Sequence, residues 1–262
     1  MLTNLLQVEN LSFRWGNREI LRNINFEVEP NQTVAILGKN GVGKTTLIKC
    51  LNRILTPHSG TVRFSSRDVS EMSLLELSKM SSYVPQSVRT SFPMDVFDVV
   101  LLGRRPYISW IVSSEDREAV SRTLSLLGLE EFAFRKFDKL SGGERQRVVV
   151  AKAVAQDPSI FLFDEPTSDL DLRNQIEVMK RIVEIVSDKE LGKSAIVSIH
   201  DINIAARFAD RIILLHEGEV KADGSPSEVL TEDNIAEVFE VTCDILIQTE
   251  NSPMRVLIKD EI

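Results

Sequence analysis

The chain has 262 residues, of which 43% are hydrophobic and 27% are charged, a composition typical of globular proteins with a substantial core. Its 31 basic and 39 acidic residues give a net charge of −8, which argues against nucleic-acid binding. No apolar run is long enough to span a membrane, and the sequence start lacks the pattern of a signal peptide, so we expect a cytoplasmic chain. The two cysteines, Cys50 and Cys243, match no metal or redox spacing.

The N-terminal part of the chain predicts strands around one helix. Strands are expected over residues 6–13 and 24–29, and the apolar run over residues 33–38 is typical of a buried parallel strand. A helix over residues 44–55 and a strand over residues 60–64 follow. This order indicates an α/β fold.

Residues 74–156 have mainly helical patterns, and we interpret them as an inserted helical subdomain. The alternation of strands and helices then resumes, with strands over residues 159–164, 194–199 and 211–215 and helices over residues 172–187 and 202–209. Weaker alternation from Val241 onward predicts a small C-terminal β appendage.

The stretch GKNGVGKTT fits the G-x-x-x-x-G-K-[ST] pattern, directly after the predicted buried strand and at the start of a helix. Its glycines allow backbone N–H groups to surround phosphates, Lys44 adds a positive charge, and the Thr45 hydroxyl can reach Mg²⁺. A triphosphate is therefore expected to contact Gly38, Asn40, Gly41, Gly43, Lys44, Thr45 and Thr46.

The strand-like stretch IFLFDEP ends in two adjacent carboxylates, Asp164 and Glu165. Because ligands lie beyond the carboxyl ends of parallel strands, we predict that Asp164 holds Mg²⁺ and that Glu165 accepts a proton from the attacking water. The alternative is an ordinary acidic loop before Pro166.

Four further polar or aromatic residues occupy suggestive positions. Gln86 and His200 each end a predicted strand, Asp171 follows the carboxylate pair, and Trp15 can stack on a base. Gln86 is a candidate to sense the metal or the γ-phosphate. Each residue alone would more often be an ordinary loop, cap or surface residue.

A second helix start lies in KLSGGERQRVVV. Ser141 is a typical N-cap residue, and two glycines precede a run of helix-forming residues. We therefore expect a helix start with bare N–H groups, which is an anion-binding arrangement.

The phosphate loop, Gln86, LSGGERQ, FLFDEP, SDLD and His200, in this order and at these spacings, resemble the ATP-binding cassette of ABC transporters. The resemblance extends over about residues 5–240. Within that family, FPMDVFDVVLLGRRPY and HDINIAARFADRIILLHEGEVKADGSPSEVL are similar to the ATPase subunits for uptake of iron-siderophore, haem and cobalamin complexes.

The resemblance implies a P-loop NTPase core with an antiparallel β subdomain and an inserted helical subdomain, within one ABC ATPase domain over residues 1–262. The implied division is a core over residues 1–86 and 158–240, a helical subdomain with the signature motif over residues 87–157, and a C-terminal β appendage over residues 241–262.

The resemblance also implies ATP and Mg²⁺ as ligands and a second copy of the chain as partner. In such cassettes two copies pack head to tail, and Ser141, Gly142 and Gly143 of one cover the γ-phosphate held by the other. By the same resemblance Trp15 stacks on the base, Gln86 senses metal and water, Asp171 reaches across the dimer, and His200 is the switch histidine on the γ-phosphate.

Several positions depart from the family pattern. Lys39 stands where proline is usual and Asn31 where glycine is common; we expect Lys39 to project outward and Asn31 to adopt a left-handed backbone. Trp15 replaces the commoner tyrosine, and Asp169 stands where alanine is usual. None of these is expected to remove ATPase activity.

The implied function is a motor subunit on the cytoplasmic face of the cell membrane, acting on a separate permease and, indirectly, with a substrate-binding protein. Residues 103–112, GRRPYISWIV, are the expected docking surface, because Tyr107 and Trp110 follow the basic pair Arg104 and Arg105. Alternatively, these residues form a small core of the helical subdomain.

A competing interpretation is a soluble ABC ATPase without a membrane partner, such as an iron-sulfur cluster assembly ATPase. The length of a single cassette permits both functions. In an importer the transported cargo is selected by the membrane and binding-protein partners.

Overall fold

The computed structural model describes residues 4–86, 93–168, 170–249 and 253–262, in which the strands form three sheets. The strands are β1 (Leu6–Trp15), β2 (Arg18–Val28), β3 (Thr33–Leu37), β4 (Ser59–Phe64), β5 (Arg67–Asp68), β6 (Ser81–Val84), β7 (Ile160–Asp164), β8 (Ser194–Ser198), β9 (Arg211–His216), β10 (Glu219–Gly224), β11 (Val241–Leu246) and β12 (Arg255–Glu261). The helices are α1 (Lys44–Leu51), α2 (Leu74–Met80), α3 (Val96–Leu101), α4 (Ser114–Leu126), α5 (Gly142–Ala155), α6 (Leu172–Ser187), α7 (Ile202–Phe208), α8 (Pro226–Val229) and α9 (Glu232–Phe239).

The largest sheet has the strand order β10-β9-β3-β8-β7-β6, and its strands are parallel except for β10 at one edge. Side chains along β3 alternate between two apolar cores: Val34 and Ile36 enter one core, and Ala35 and Leu37 enter the other. Because both faces of the sheet are covered, its inner strands are apolar at nearly every position. The carboxyl ends of β3, β6, β7 and β8 lie at the same edge, which is where ligands bind in such sheets.

One face of the large sheet packs against α1 and the antiparallel sheet β2-β1-β4-β5. The β1–β2 hairpin pairs Leu6 with Val28 at one end and Trp15 with Arg18 at the other. Gly16 takes a left-handed φ of 56° in the two-residue turn between Trp15 and Arg18. Cross-strand partners project from the same face of a hairpin, so Trp15 and Arg18 lie side by side.

The other face packs against α3 to α7 and the C-terminal hairpin β11–β12. Val100 of α3, Val120 of α4 and Val148 of α5 are buried in the same core as Phe161 and Phe163 of β7. The helical segment therefore shares its apolar core with the large sheet. No helix within the described ranges is long and apolar enough to cross a bilayer.

Most of the strands and helices predicted from the sequence are confirmed, including α6 over its full predicted length. Helix α1 is shorter than predicted, because it ends at Leu51 and Arg53 then adopts a left-handed φ of 52°. Strand β6 interrupts the segment interpreted as helical, although a short strand was expected just before Gln86. Elements β5, β10, α8 and α9 were not predicted.

Candidate active site

The phosphate loop connects the end of β3 to the start of α1. Its last glycine, Gly43, caps α1 with a φ of 115°, and α1 begins without a side-chain cap or an acidic residue in its first turn. A Cβ on Gly43 would lie 2.8 Å from Leu21 Cδ2, and a Cβ on Gly38 would lie 2.5 Å from the backbone oxygen of Leu215. Both positions therefore require glycine, and the helix start keeps its N–H groups available for an anion.

Lys44, the first residue of α1, is buried, and its side chain extends into the phosphate loop. Its Nζ donates to the backbone oxygen of Gly38 at 2.7 Å and of Lys39 at 3.2 Å, and it lies 4.0 Å from Glu165 Oε1. Burial lowers the pKa of Lys44 from its ordinary value, while the charges of Glu165 and Asp164 act in the opposite direction. The loop thus holds a cation against two carboxylates at the position expected for the phosphates.

Asp164, at the end of β7, is buried and surrounded by hydroxyl groups. Its Oδ1 accepts from Thr45 Oγ1 at 2.8 Å and from Ser198 Oγ at 3.1 Å, and its Oδ2 accepts from the Tyr83 hydroxyl at 3.2 Å. Burial, and then the charge of Asp164, raise the pKa of Tyr83, so this hydroxyl remains a proton donor. Thr45 and Asp164 therefore present adjacent hard oxygen atoms, the ligand type that Mg²⁺ prefers.

Glu165 follows with a left-handed backbone φ of 48°, which is uncommon for a residue with a side chain. The hydroxyl of Ser198 accepts from its backbone N–H at 2.9 Å, which supports this conformation. The Glu165 Oε2 atom accepts from Gln86 Nε2 at 3.1 Å and lies 4.0 Å from His200 Nδ1. The structure thus brings together all three residues predicted to be catalytic.

A cavity of about 260 Å³ opens beside the phosphate loop. It is lined by Trp15, Arg18, Ile20, Gly41, Gly43, Lys44, Thr45, Thr46 and Glu165. Trp15 is 57% exposed, and its ring packs edge-on against Phe13, with ring centroids 5.1 Å apart. The aromatic residue predicted to stack on a base therefore lies at the same cavity as five of the predicted phosphate ligands, whereas Gly38 and Asn40 are not part of its lining.

Sequence reasoning missed four residues of this site: Arg18, Ile20, Tyr83 and Ser198. Arg18 and Ile20 reach the cavity from β2, and the signal for Arg18 was its position across a two-residue turn from Trp15. Tyr83 lies near the end of β6 and Ser198 ends β8, the strands on either side of β7. Their signal was only that each lies two or three residues before a predicted site residue, Gln86 or His200.

The predicted signature residues, Ser141, Gly142 and Gly143, lie outside the cavity lining. Ser141 and Gly142 are exposed at the start of α5, and Ser141 caps the helix by accepting from the backbone N–H of Glu144 at 3.3 Å. Glu144 Oε2 in turn accepts from the Ser141 N–H at 2.7 Å, and this bond, followed by the interaction with the Ser141 hydroxyl, lowers the pKa of Glu144. The prediction of bare N–H groups was therefore wrong for Ser141 and Glu144, because a capping box satisfies them. The glutamate three residues after Ser141 was the signal for this motif.

Asp171 also lies outside the cavity lining, at the start of α6. Its carboxylate caps that helix by accepting from the backbone N–H of Asn174 at 2.9 Å. Among the departures from the family pattern, Asn31 has the expected left-handed φ of 60°. Lys39 points away from the cavity lining and pairs with Glu240 at 2.7 Å, whereas Asp169 lies outside the described residues.

The expected docking surface is exposed at its apolar end. Trp110 is 96% exposed and Ile111 is 83% exposed, so neither side chain is part of a core. Arg104 is buried instead, where it pairs with Asp116 at 3.2 Å and lies under the ring of Tyr107 at 4.0 Å. The two arginines therefore differ in position: Arg105 is exposed, whereas Arg104 is buried against the Tyr107 ring.

The profile of the family described as "ABC transporter" matches residues 21–168. An uncharacterized ABC transporter ATP-binding protein of Methanocaldococcus jannaschii is 46% identical over 90% of this chain and 92% of its own length. The chain belongs to the ABC transporter family.

Other relatives of this ABC ATPase have more specific names. The iron(3+)-hydroxamate import ATP-binding protein of Bacillus subtilis is 34% identical over 98% of this chain and 97% of its own length. The hemin import ATP-binding protein of Bordetella avium is 35% identical over 92% and 94% of the two chains. A solved chain described as a metal-chelate type ABC transporter in an inward-facing conformation superposes with a TM-score of 0.86, at 28% identity, over 98% of each chain. This ABC ATPase therefore binds nucleotide and is the ATP-hydrolysing subunit of a transporter.

Proposed function

We propose that this chain energises an importer that takes up a metal chelate of the iron-siderophore, haem or cobalamin type through a separate membrane permease. The names of the iron-hydroxamate and hemin relatives, with coverage of nearly the whole chain, support this cargo class. In this proposal the subunit works at the cytoplasmic face of the cell membrane, and a substrate-binding protein acts indirectly through the permease.

The observation that carries hydrolysis is the group of Lys44, Asp164 and Glu165 at one end of the large sheet. In this proposal Lys44 binds the phosphates, and Glu165 accepts a proton from water. Gln86 donates to the Glu165 carboxylate, and His200, 4.0 Å from that carboxylate, contacts the γ-phosphate. Trp15 stacks on the base, and Arg18 lies between the base and the phosphates.

The same site suits Mg²⁺. The Thr45 hydroxyl and the Asp164 carboxylate lie 2.8 Å apart and would hold the ion, with the Gln86 amide as a further oxygen donor. Bound there, Mg²⁺ neutralises charge on the phosphates. Without the ion, the hydrogen bond from Thr45 to Asp164 connects the start of α1 to the end of β7.

The cavity is only half of the proposed site. Trp15 and Arg18 remain exposed, and Ser141, Gly142 and Asp171 face solvent rather than the cavity. A second copy packed head to tail supplies the missing half, with Ser141, Gly142 and Gly143 over the γ-phosphate and Asp171 near the facing phosphate loop. Nucleotide then joins the two copies, and hydrolysis releases them.

The sharpest test of this site is Glu165→Gln, which keeps the shape of the side chain but removes the proton acceptor. We expect the turnover of ATP to fall by about 100-fold or more, while nucleotide binding persists and a dimer accumulates with Mg²⁺-ATP. Phosphate release and sedimentation velocity measure the two effects. Glu237→Gln on α9, which removes an exposed carboxylate outside the cavity lining, is the control. Turnover of Glu165→Gln at the parental rate would remove Glu165 from its role.

The proposed docking surface begins at Tyr107 and includes Trp110 and Ile111. We expect the double change Tyr107→Ser and Trp110→Ser to reduce co-purification with the permease from native membranes, while nucleotide affinity stays unchanged. Phe134→Ser is a matched control, because Phe134 is an aromatic residue that is 87% exposed elsewhere in the helical segment. Equal recovery of the permease with both proteins would rule out this surface.

The same purification separates the competing function. An importer subunit is recovered with a polytopic membrane protein, whereas a cluster-assembly ATPase is recovered with soluble iron-sulfur proteins. The exposure of Trp110 and Ile111 favours the importer, because two large apolar side chains exposed at adjacent positions suit a surface that is covered in an assembly.

A further inference from the structure

Helices α5 and α6 touch at their first turns through Gly143 and Asn174. A Cβ on Gly143 would lie 2.6 to 2.8 Å from Cγ, Nδ2 and Oδ1 of Asn174. The amide group of Asn174 therefore packs directly against the backbone of Gly143. Because Gly143 has no side chain, the Asn174 side chain can approach its backbone closely.

The same amide group also holds Asp171. Asn174 Nδ2 donates to Asp171 Oδ2 at 2.9 Å, and the Asn174 backbone N–H donates to Asp171 Oδ1, also at 2.9 Å. Both oxygens of the carboxylate are thus bound by one residue. A single side chain therefore contacts the start of the signature helix and fixes the aspartate on the neighbouring loop.

The surrounding contacts make this connection rigid. Gln175 Nε2 donates to the backbone oxygens of Thr167 and Leu170, which holds the loop ahead of α6. One helical turn further along, Arg147 of α5 pairs with Glu177 of α6 at 3.0 Å, and both side chains are partly buried. The two helices are therefore held together over two successive turns.

We propose that Asn174 is a positioning residue that holds Ser141 and Asp171 as one surface for the second copy of the chain. This inference rests on the proposed head-to-tail dimer. Ser141 and Asp171 are both exposed, and each would have to meet the partner at the same time. If Ser141 and Asp171 moved independently, both would lose conformational entropy on association, and this loss would weaken the dimer. A surface that is already ordered in the single chain avoids that loss.

The test uses Glu165→Gln as the parent, so that hydrolysis does not dissolve the dimer. Asn174→Asp keeps the size of the side chain, removes the donor and places a second carboxylate against Asp171. Asn174→Ala removes the contact with Gly143 as well. We expect each change to weaken Mg²⁺-ATP-dependent dimerisation by about tenfold or more, as measured by sedimentation velocity over a range of protein concentrations.

Two further measurements separate positioning from a general loss of structure. The affinity of the single chain for a fluorescent ADP analogue should stay within about twofold of the parent, because Asn174 lies outside the cavity lining. Hydrogen exchange without nucleotide should become faster in peptides that cover the starts of α5 and α6. A merely structural defect would instead change the nucleotide affinity.

Asn234→Asp is a matched control, because Asn234 follows its N-cap Thr231 by three residues on α9, just as Asn174 follows Asp171. It should dimerise like the parent. If the Glu165→Gln parent forms no dimer, the proposed head-to-tail arrangement is wrong and the role of Asn174 is lost with it. If the parent dimerises and Asn174→Asp dimerises equally well, only the inference about Asn174 is wrong.

Discussion

The starts of α1 and α5 are both glycine-rich, but only the start of α5 is capped by side chains. Helix α1 begins at Gly43 without a side-chain cap and without an acidic residue in its first turn. Helix α5 begins at Ser141 with a complete capping box, in which Glu144 adds a negative charge to the first turn. The first arrangement leaves N–H groups for an anion, and the second satisfies two of them internally.

This difference explains how two similar helix starts can have unequal roles. The α1 start is surrounded by Lys44 and Trp15 in a cavity and suits a nucleotide on its own. The α5 start is exposed, and its capping box already uses the backbone N–H groups of Ser141 and Glu144. A phosphate held by another copy of the chain would therefore meet only the other N–H groups of this helix start. We therefore expect changes near α1 to alter binding by the single chain, and changes near α5 to alter only later steps.

The largest expected effect is that of Lys44→Ala. Removing this buried cation leaves Asp164 and Glu165 without the positive charge that faces them, and phosphates without a binding charge. The affinity of the single chain for ATP should fall by about 100-fold, as measured by titration with a fluorescent analogue. Lys39→Ala is the control, because Lys39 in the same loop pairs with Glu240 instead. An equal loss of affinity in both variants would contradict the distinction between them.

Trp15→Ala should have the next largest effect. Loss of stacking on the base should weaken nucleotide binding by about tenfold, and Trp15→Phe should recover most of it. Arg18→Ala should weaken binding by a smaller factor that shrinks as salt is added, since Arg18 is exposed and charged. If Trp15→Ala bound nucleotide with parental affinity, the base would have to lie elsewhere.

The smallest effect concerns the capping box of α5. Hydrogen bonds from Ser141 hold the pKa of Glu144 below its usual value, so their contribution to stability is present above the unfolded pKa and is lost as the pH falls through the folded one. Glu144→Gln should therefore lower the free energy of unfolding by less than about 1 kcal/mol at neutral pH, and this difference should shrink below about pH 4.

Urea unfolding of both proteins at several pH values measures this change in stability. The affinity of the single chain for nucleotide should not change in Glu144→Gln, since Glu144 is outside the cavity lining. A change in that affinity would show that the two helix starts are already coupled within one chain.

Much of this protein was determined by its sequence alone. The apolar runs of β3 and β7, the helical pattern of α6 and the motif from Gly38 to Thr46 depend on neighbouring residues, so the α/β fold and the phosphate loop could be predicted. The pair Asp164 and Glu165 was also recognisable, because a strand that ends in acidic residues places them at the ligand edge of a parallel sheet.

Only the tertiary structure decided which distant residues complete these sites. The order β3-β8-β7-β6 sets Ser198 and Tyr83 beside Asp164, and the packing of α5 on α6 sets Asn174 against Gly143. Such contacts join segments that are far apart in the chain, and they depend on strand order and helix packing, which local patterns do not encode.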